Sequence, residues 1–157
     1  MNSKNPITQA GMEKIKSELD QLIKVDREEV KIKIAEAREH GDLKENAEYH
    51  AAKEKQSVIE GRISQLQGTI ANSQVIDTST IESERIVFGA SVKLIDEDGN
   101  ELNIQVVGQE ESDSSRGKIS FQSPLGKALI GRETGDTVIV KAPKGDIEYE
   151  VDSFEFK

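Results

Sequence analysis

Two acidic residues, Asp42 and Glu45, follow a glycine in a segment otherwise rich in helix-forming residues, EAREHGDLKENAEYHAAKEK. Carboxylate oxygens suit Mg²⁺, which keeps several waters and takes only one or two carboxylates from any single source. These two acids therefore cannot build a complete Mg²⁺ site. They could complete a site whose other ligands belong to a partner or a phosphate, where a two-metal centre would activate water for phosphodiester cleavage.

The same residues also fit an ordinary turn between two helices. If the first helix ends at His40, Gly41 suits the left-handed position that follows a helix. Asp42 could then cap the next helix, with Glu45 reaching back from its third position, a capping box worth about 1 kcal/mol. The acid spacing alone does not separate a cap from a metal-completing pair.

The segments on both sides of the turn predict two long helices. Residues 12–40 lack proline, and Thr8 could cap their start. At about 1.5 Å per residue, helices of about 25–30 residues would be roughly 40–45 Å long. We expect an antiparallel hairpin, a coiled coil that projects as a narrow rod with the acids at its tip. The apolar seam has a gap at Asp26 and consists of Met12, Ile15, Leu19, Leu22, Val30, Ile34 and Ala37 in the first helix, and Ala52, Gln56, Ile59, Ile63, Leu66 and Ile70 in the second.

The period of apolar residues changes to two from Ile86 onward. ASVKLIDEDGNELNIQVVG alternates on both sides of Asp98-Gly99, which predicts a β-hairpin, and KISFQ, DTVIVKAP and GDIEYEVDSFEF predict further strands. Pro124 begins a short helix in SPLGKALIG. The predicted fold class is α+β: a helical hairpin over 1–76, then a small antiparallel sheet with one short helix over 77–157, joined by a linker in NSQVIDTSTIESER.

Composition and charge exclude several classes of function. The absence of cysteine excludes disulfides and thiolate metal sites. Residues 1–75 hold 12 basic and 13 acidic residues, whereas 76–157 hold 9 and 17, so the second half should repel nucleic acid. With no N-terminal apolar run and no stretch of about 18 apolar residues, we expect neither signal peptide nor membrane span, and a cytoplasmic protein.

The run EAREHGDLKENAEYHAAKEKQ resembles the tip of bacterial transcription elongation factors of the Gre family, most of all the GreA type. ITQAGMEKIKSELDQL, ANSQVID, VFGASVKL, VVGQEESD, ISFQSPLGKALIG and GDTVIVKAPKGDIEYEV resemble other parts of the family, in order along the whole chain. The resemblance implies a C-terminal domain with an FKBP-like fold that binds bacterial RNA polymerase, while the coiled coil enters the polymerase's secondary channel.

The resemblance also implies roles for individual residues. Asp42 and Glu45 match the tip acids that help hold a second Mg²⁺ of the polymerase and orient water, so that the polymerase cleaves the extruded RNA 3′ end of a backtracked complex. The factor would be a monomer with no cofactor of its own. Arg38 and Lys53 match basic residues that meet the RNA, although ordinary salt pairs on a solvated helix face would explain them too.

Five further residues have competing interpretations. Ser123 and Pro124 lie in a segment with which the family grips polymerase, but Pro124 is also simply a good first helical residue. Tyr49 could stack on a base, although shielding the end of the seam is favoured. His40 suits the last turn of a helix better than a ligand role, and His50 is likewise interpreted as structural.

Three other functions compete with transcript cleavage. Relatives with the Gre fold plug the channel without promoting cleavage, but their tips depart from the acidic pattern that this tip keeps. A prolyl isomerase would need an aromatic-lined pocket, for which this chain has few aromatic residues. A free-standing coiled-coil dimeriser would leave the acidic tip and the C-terminal resemblance unexplained.

Overall fold

A computed structural model describes residues 4–41 and 46–157, which divide into two compact units. The hairpin unit is Met12–Asn72; the sheet unit joins the described residues up to Gly11 with Ser73–Lys157. The units therefore divide the chain differently from the predicted boundary at 76/77. The difference arises because the N-terminal strand β1 (Asn5–Thr8) pairs with β2 (Ser73–Ile76).

The hairpin unit has the predicted antiparallel arrangement of helices. Its first arm consists of α1 (Gln9–Gln21), a π-helical turn (Leu22–Asp26) and α2 (Arg27–Arg38). Its second arm is one continuous helix, α3 (Ala47–Ala71), which at about 1.5 Å per residue is about 37 Å long. Two bidentate ion pairs join the arms, Arg27 to Glu60 and Arg62 to Glu18, with N–O distances of 2.8–2.9 Å.

The π-helical turn explains the gap that the sequence shows at Asp26. Between Leu22 and Val30 the seam takes two steps of four where a strict heptad alternates four and three, so one residue is in excess. A π turn holds one more residue than an α turn and absorbs that excess. Leu22 and Val30 are consequently both buried, at 9% and 1% exposure.

The predicted seam forms the core of the hairpin unit. Leu19, Gln56 and Ile70 are half-buried at its margins. The buried members are Met12, Ile15, Leu22, Val30, Ile34, Ala37, Ala52, Ile59, Ile63 and Leu66. Because the helices bury only this narrow stripe, most of their remaining surface is polar and exposed.

The sheet unit contains a five-stranded sheet with strand order β5-β4-β3-β7-β6. Three neighbouring pairs are antiparallel as predicted, including the β3–β4 hairpin around Asp98-Gly99, but β4 and β5 are parallel, so the prediction of an antiparallel sheet was wrong at this edge. Two 3₁₀ turns, Gln109–Glu111 and Ser114–Arg116, carry the chain back before β5 begins. The strands are β3 (Ser91–Asp96), β4 (Glu101–Val107), β5 (Lys118–Ser120), β6 (Thr137–Ala142) and β7 (Gly145–Glu155).

A two-stranded parallel sheet, β1 with β2, was not predicted. Its second strand lies in NSQVID, which the sequence analysis interpreted as the start of a linker. A parallel pair needs a long crossover, and here the crossover is the whole helical hairpin. Ile7 in β1 is almost completely buried, with 1% of its surface exposed.

The core of the sheet unit lies between the five-stranded sheet and the short helix α4 (Pro124–Leu129), which begins at the predicted residue. In the described parts of the chain, no helix is both long and apolar enough to cross a membrane. The buried core residues are Ile86, Ala90, Val92, Leu94, Ile104, Val106, Leu129, Val138 and Val151.

Candidate functional site at the hairpin turn

Asp42 and Glu45, the predicted catalytic and metal-binding pair, lie outside the described residues. The structure describes the residues on either side of them, Gly41 and Asn46. Gly41 has a φ of +115°, the left-handed backbone region that favours glycine, as the sequence predicted. The described part of the site consists of the two helix ends that border the turn.

The side chain of Asn46 caps the second helix. Its Oδ1 accepts a hydrogen bond from the Tyr49 backbone N–H at 3.0 Å, and its backbone is extended, with φ −85° and ψ 96°. The described helix begins at Ala47 and its N-cap is Asn46. The alternative of a capping box formed by Asp42 and Glu45 falls outside the described residues. Both residue types cap helices well, so local preference did not separate them.

The same asparagine also reaches the end of the first arm. Its Nδ2 donates a hydrogen bond to the Ala37 carbonyl at 2.6 Å. That carbonyl also accepts from the His40 N–H at 3.2 Å, which tightens the last turn to three-residue spacing. Helix α2 consequently ends at Arg38, two residues before the predicted end at His40.

Tyr49 joins the two helices through a cation–π contact. The Arg38 guanidinium lies 5.8 Å from the centre of the Tyr49 ring, and His50 meets the same ring edge-on at 5.6 Å. The Tyr49 side chain is half-buried, whereas Arg38, His40 and His50 are exposed. The ring therefore holds the cation of the opposite helix beside it.

The two predicted RNA-contacting residues are both exposed, one on each arm of the hairpin. Arg38 is the last residue of α2, and Lys53 lies four residues after Tyr49 on α3, about one turn further along. The Lys53 ammonium donates to Gln56 Oε1 at 3.3 Å, a contact within its own helix. Within residues 4–41 and 46–157, no cluster of three or more acidic or histidine side chains could hold a metal ion.

Ser123 and Pro124 lie at the start of α4 in the sheet unit. The Ser123 hydroxyl accepts from the Gly126 N–H at 3.1 Å and donates to the Ser120 carbonyl at 2.7 Å, so both hydrogen-bonding functions are used within the fold. Pro124 occupies the first helical turn and is exposed. An open groove of about 550 Å³ beside them is lined by Gln109, Ser112, Ser120, Gln122, Ser123 and Lys127.

Glu111, which was not predicted as a functional residue, has a carboxylate that organises the start of the first helix. It accepts from the N–H groups of Thr8 and Gly108, at 2.8 and 3.1 Å, and from the Thr8 hydroxyl. Thr8 Oγ1 in turn accepts from the Gly11 N–H at 3.0 Å, which confirms the predicted cap. The contact with Gly108 is local, but the contact with Thr8 could not be predicted from the sequence, because Thr8 lies 103 residues earlier in the chain.

Comparison with known families covers both halves of the chain. Residues 5–75 match the family described as "Transcription elongation factor, N-terminal", and residues 81–156 match "Transcription elongation factor, GreA/GreB, C-term". The chain belongs to the GreA/GreB family of transcription elongation factors. This confirms the resemblance drawn from the tip segment and from the motifs that follow it.

Individual GreA/GreB factors resemble the chain over its full length. It is 54% identical over 151 residues to "Transcription elongation factor GreA" of Thioalkalivibrio sulfidiphilus, covering 95% of this chain and 96% of the relative. It is 52% identical over 158 residues to the protein of the same name from Thermodesulfovibrio yellowstonii, covering 100% of both. A crystal structure of "GreA factor homolog 1" of Thermus thermophilus is 29% identical, with a TM-score of 0.45 and coverage of 97% and 99%.

Proposed function

We propose that this elongation factor inserts its helical hairpin into the secondary channel of a bacterial RNA polymerase and stimulates cleavage of backtracked RNA 3′ ends. Membership of the GreA/GreB family implies the polymerase as the partner. In this proposal the factor is no enzyme by itself. It is a monomer in the cytoplasm that supplies residues in trans to the polymerase's own active centre.

One observation carries the proposal: Asn46 caps the second helix. The main alternative for the acidic pair was that Asp42 caps this helix while Glu45 completes the capping box. Since another residue fills the N-cap position, capping of the described helix does not require the two acids. This supports a role for them toward a partner.

The proposed chemistry needs a metal that this chain does not hold alone. Mg²⁺ at the polymerase active centre would supply the activated water and the charge stabilisation for phosphodiester cleavage. Asp42 and Glu45 would contribute carboxylate oxygens to that ion, since two carboxylates suit a shared Mg²⁺ site. Arg38 and Lys53 would pair with phosphates of the extruded RNA, one from each helix.

We assign polymerase docking to the sheet unit, in which the family resemblance implies an FKBP-like fold. The exposed Pro124 and the adjoining groove of about 550 Å³ offer a surface for this contact. Ser123 supports that surface from within, because its hydroxyl fixes the first turn of α4. The acidic charge of this half of the chain favours a protein partner over nucleic acid here.

The proposal is tested by cleavage of an end-labelled transcript in a stalled, backtracked RNA polymerase complex with Mg²⁺. We expect the wild type to accelerate cleavage. Asp42→Asn and Glu45→Gln should each reduce this acceleration by on the order of 100-fold, as losing a group that stabilises the transition state does. Glu48→Gln is the matched control, since Glu48 is an exposed acid in the first turn of the same helix.

Competition with unlabelled wild type for the polymerase separates binding from cleavage. All three variants should compete as well as the wild type, because none alters the sheet unit. If the wild type binds and leaves the transcript intact, the protein is a channel plug and the proposal is wrong. If Asp42→Asn stimulates cleavage fully, the acidic pair does not act as proposed.

A further inference from the structure

We propose that Asn46 is a positioning residue for cleavage, a side-chain clamp that closes the base of the hairpin turn. The inference rests on the proposed function, because it concerns how the two helix ends that flank Asp42 and Glu45 in the chain are held. It assigns to Asn46 no contact with metal, RNA or polymerase. Asn46 acts instead by tying the end of α2 to the start of α3.

The clamp consists of two hydrogen bonds from one amide group. Oδ1 accepts from the Tyr49 N–H at 3.0 Å and Nδ2 donates to the Ala37 carbonyl at 2.6 Å. The first bond satisfies an N–H in the first turn of α3, and the second adds a donor to a carbonyl at the end of α2 that also accepts from the His40 N–H. Ala37 is itself fixed in the seam, with 4% of its surface exposed.

Asn46 borders the segment that carries the acidic pair. Only residues 38–45 separate the two clamped residues in the chain, and Glu45 directly precedes Asn46. The two bonds tie together the described ends of the helices that flank this segment. A catalytic group gains rate when its supporting shell holds it near the productive geometry.

The clamp also connects to the RNA-contacting side of the site. The N–H that Oδ1 binds belongs to Tyr49, whose ring meets the Arg38 guanidinium at 5.8 Å. Asn46 thereby fixes the first turn of the helix that presents Tyr49 to Arg38. One amide group therefore fixes both the start of α3 and the ring that meets Arg38.

Substitution by serine separates the two bonds. The serine of an Asn46→Ser variant would still cap α3, since serine is among the best capping residues, but its short side chain would not reach the Ala37 carbonyl. We expect the maximal rate of stimulated cleavage to fall about tenfold, the effect of losing one hydrogen bond from a positioned group. The concentration giving half-maximal stimulation should stay within about twofold, because docking is unchanged.

The matched control, Ile63→Val, lowers the stability of the hairpin unit by a similar amount at a position away from the turn. Ile63 is buried in the seam at 3% exposure, and Ile63→Val deletes one methyl group there. This variant should cleave at the wild-type maximal rate. Asn46→Ala, which also loses the cap, should cleave no faster than Asn46→Ser, and circular dichroism should show wild-type helix content for Asn46→Ser.

The possible results distinguish this inference from the proposed function. If the wild type does not stimulate cleavage, the proposed function is wrong and the role of Asn46 fails with it. If the wild type is active and Asn46→Ser matches its maximal rate, the clamp alone is refuted. An equal loss in Ile63→Val would also refute the clamp, because general hairpin stability would then explain the effect.

Discussion

Gly11→Ala should destabilise the sheet unit, although replacing a helical glycine by alanine usually stabilises. The usual gain is about 0.5–1 kcal/mol, because alanine has the higher helix propensity. At Gly11, however, an added Cβ would lie 2.3 Å from Glu111 Oε1 and 2.7 Å from its Cδ. The Glu111 carboxylate would have to move away from the start of α1.

The magnitude follows from the bonds that this movement breaks. Glu111 accepts from two backbone N–H groups and from the Thr8 hydroxyl. Hydrogen bonds to a charged group contribute about 1.5–3 kcal/mol each, but Glu111 is half-buried and water replaces part of what is lost. A total loss of about 2–3 kcal/mol, less the gain in propensity, leaves a destabilisation of about 1–2 kcal/mol.

Native-state amide exchange measures the two units separately. Val106 and Val151 donate to Ala90 and Asp136, and their buried amides report the sheet unit. The matched controls are Gly61→Ala and Gly68→Ala in α3, where an added Cβ meets nothing within 4 Å. Each should stabilise the hairpin unit by about 0.5–1 kcal/mol.

A double-substitution test isolates the cause. In a Glu111→Gly background the Glu111 atoms that the added Cβ would meet are all removed, so Gly11→Ala should change sign and stabilise. If Gly11→Ala stabilises the otherwise wild-type protein as much as Gly61→Ala stabilises the hairpin, the steric argument is wrong. If the destabilisation persists without the Glu111 side chain, another contact is responsible.

Two further predictions concern one residue in each unit. Hydrogen bonds from Arg27 hold the pKa of Glu60 below its ordinary value, so this pair stabilises the hairpin above the ordinary carboxyl pKa and ceases to do so as the pH falls below about 4. The thermal midpoint followed by circular dichroism should therefore fall more between pH 6 and pH 3 in the wild type than in Glu60→Gln, and equal falls would contradict the pairing. Gly126→Ala would place Cβ 2.1 Å from the Ser120 carbonyl oxygen and 2.9 Å from the Phe121 Cα. Backbone atoms in a packed sheet cannot easily move aside. Amide exchange should therefore show that the free energy of unfolding of the sheet unit falls by about 2 kcal/mol or more, and protection equal to that of the wild type would refute the close approach.

Features that depend on neighbouring residues were predictable from the sequence. The seam followed from the three-and-four spacing, the β3–β4 hairpin from Asp98-Gly99, and the start of α4 from Ser123-Pro124, because each is encoded within a few residues. Arg38 and Lys53 are exposed, and their contact with RNA stays a prediction. The acids themselves lie outside the described residues, so their geometry stays a prediction.

Features that depend on distant partners were not predictable. The cap at Asn46 is selected by the Ala37 carbonyl on the other helix, whereas Asp42 offered an equally good local capping signal. Pairing of β1 with β2 joins residues separated by the entire hairpin, and the β4–β5 register depends on the two turns between them. The gap at Asp26 indicates an irregularity in the apolar spacing of the first arm. The spacing alone did not predict that a π-helical turn accommodates the extra residue.

Because β1 pairs with β2, the length of the hairpin does not affect how the chain enters and leaves the sheet unit. Thr8 and Ile76 are partners in register, so the chain leaves and re-enters the sheet unit at adjacent points. Adding or deleting seven residues in each arm would preserve the seam and change the length of the hairpin by about 10 Å. The hairpin can therefore be lengthened or shortened without altering the strand pairing that joins its two ends.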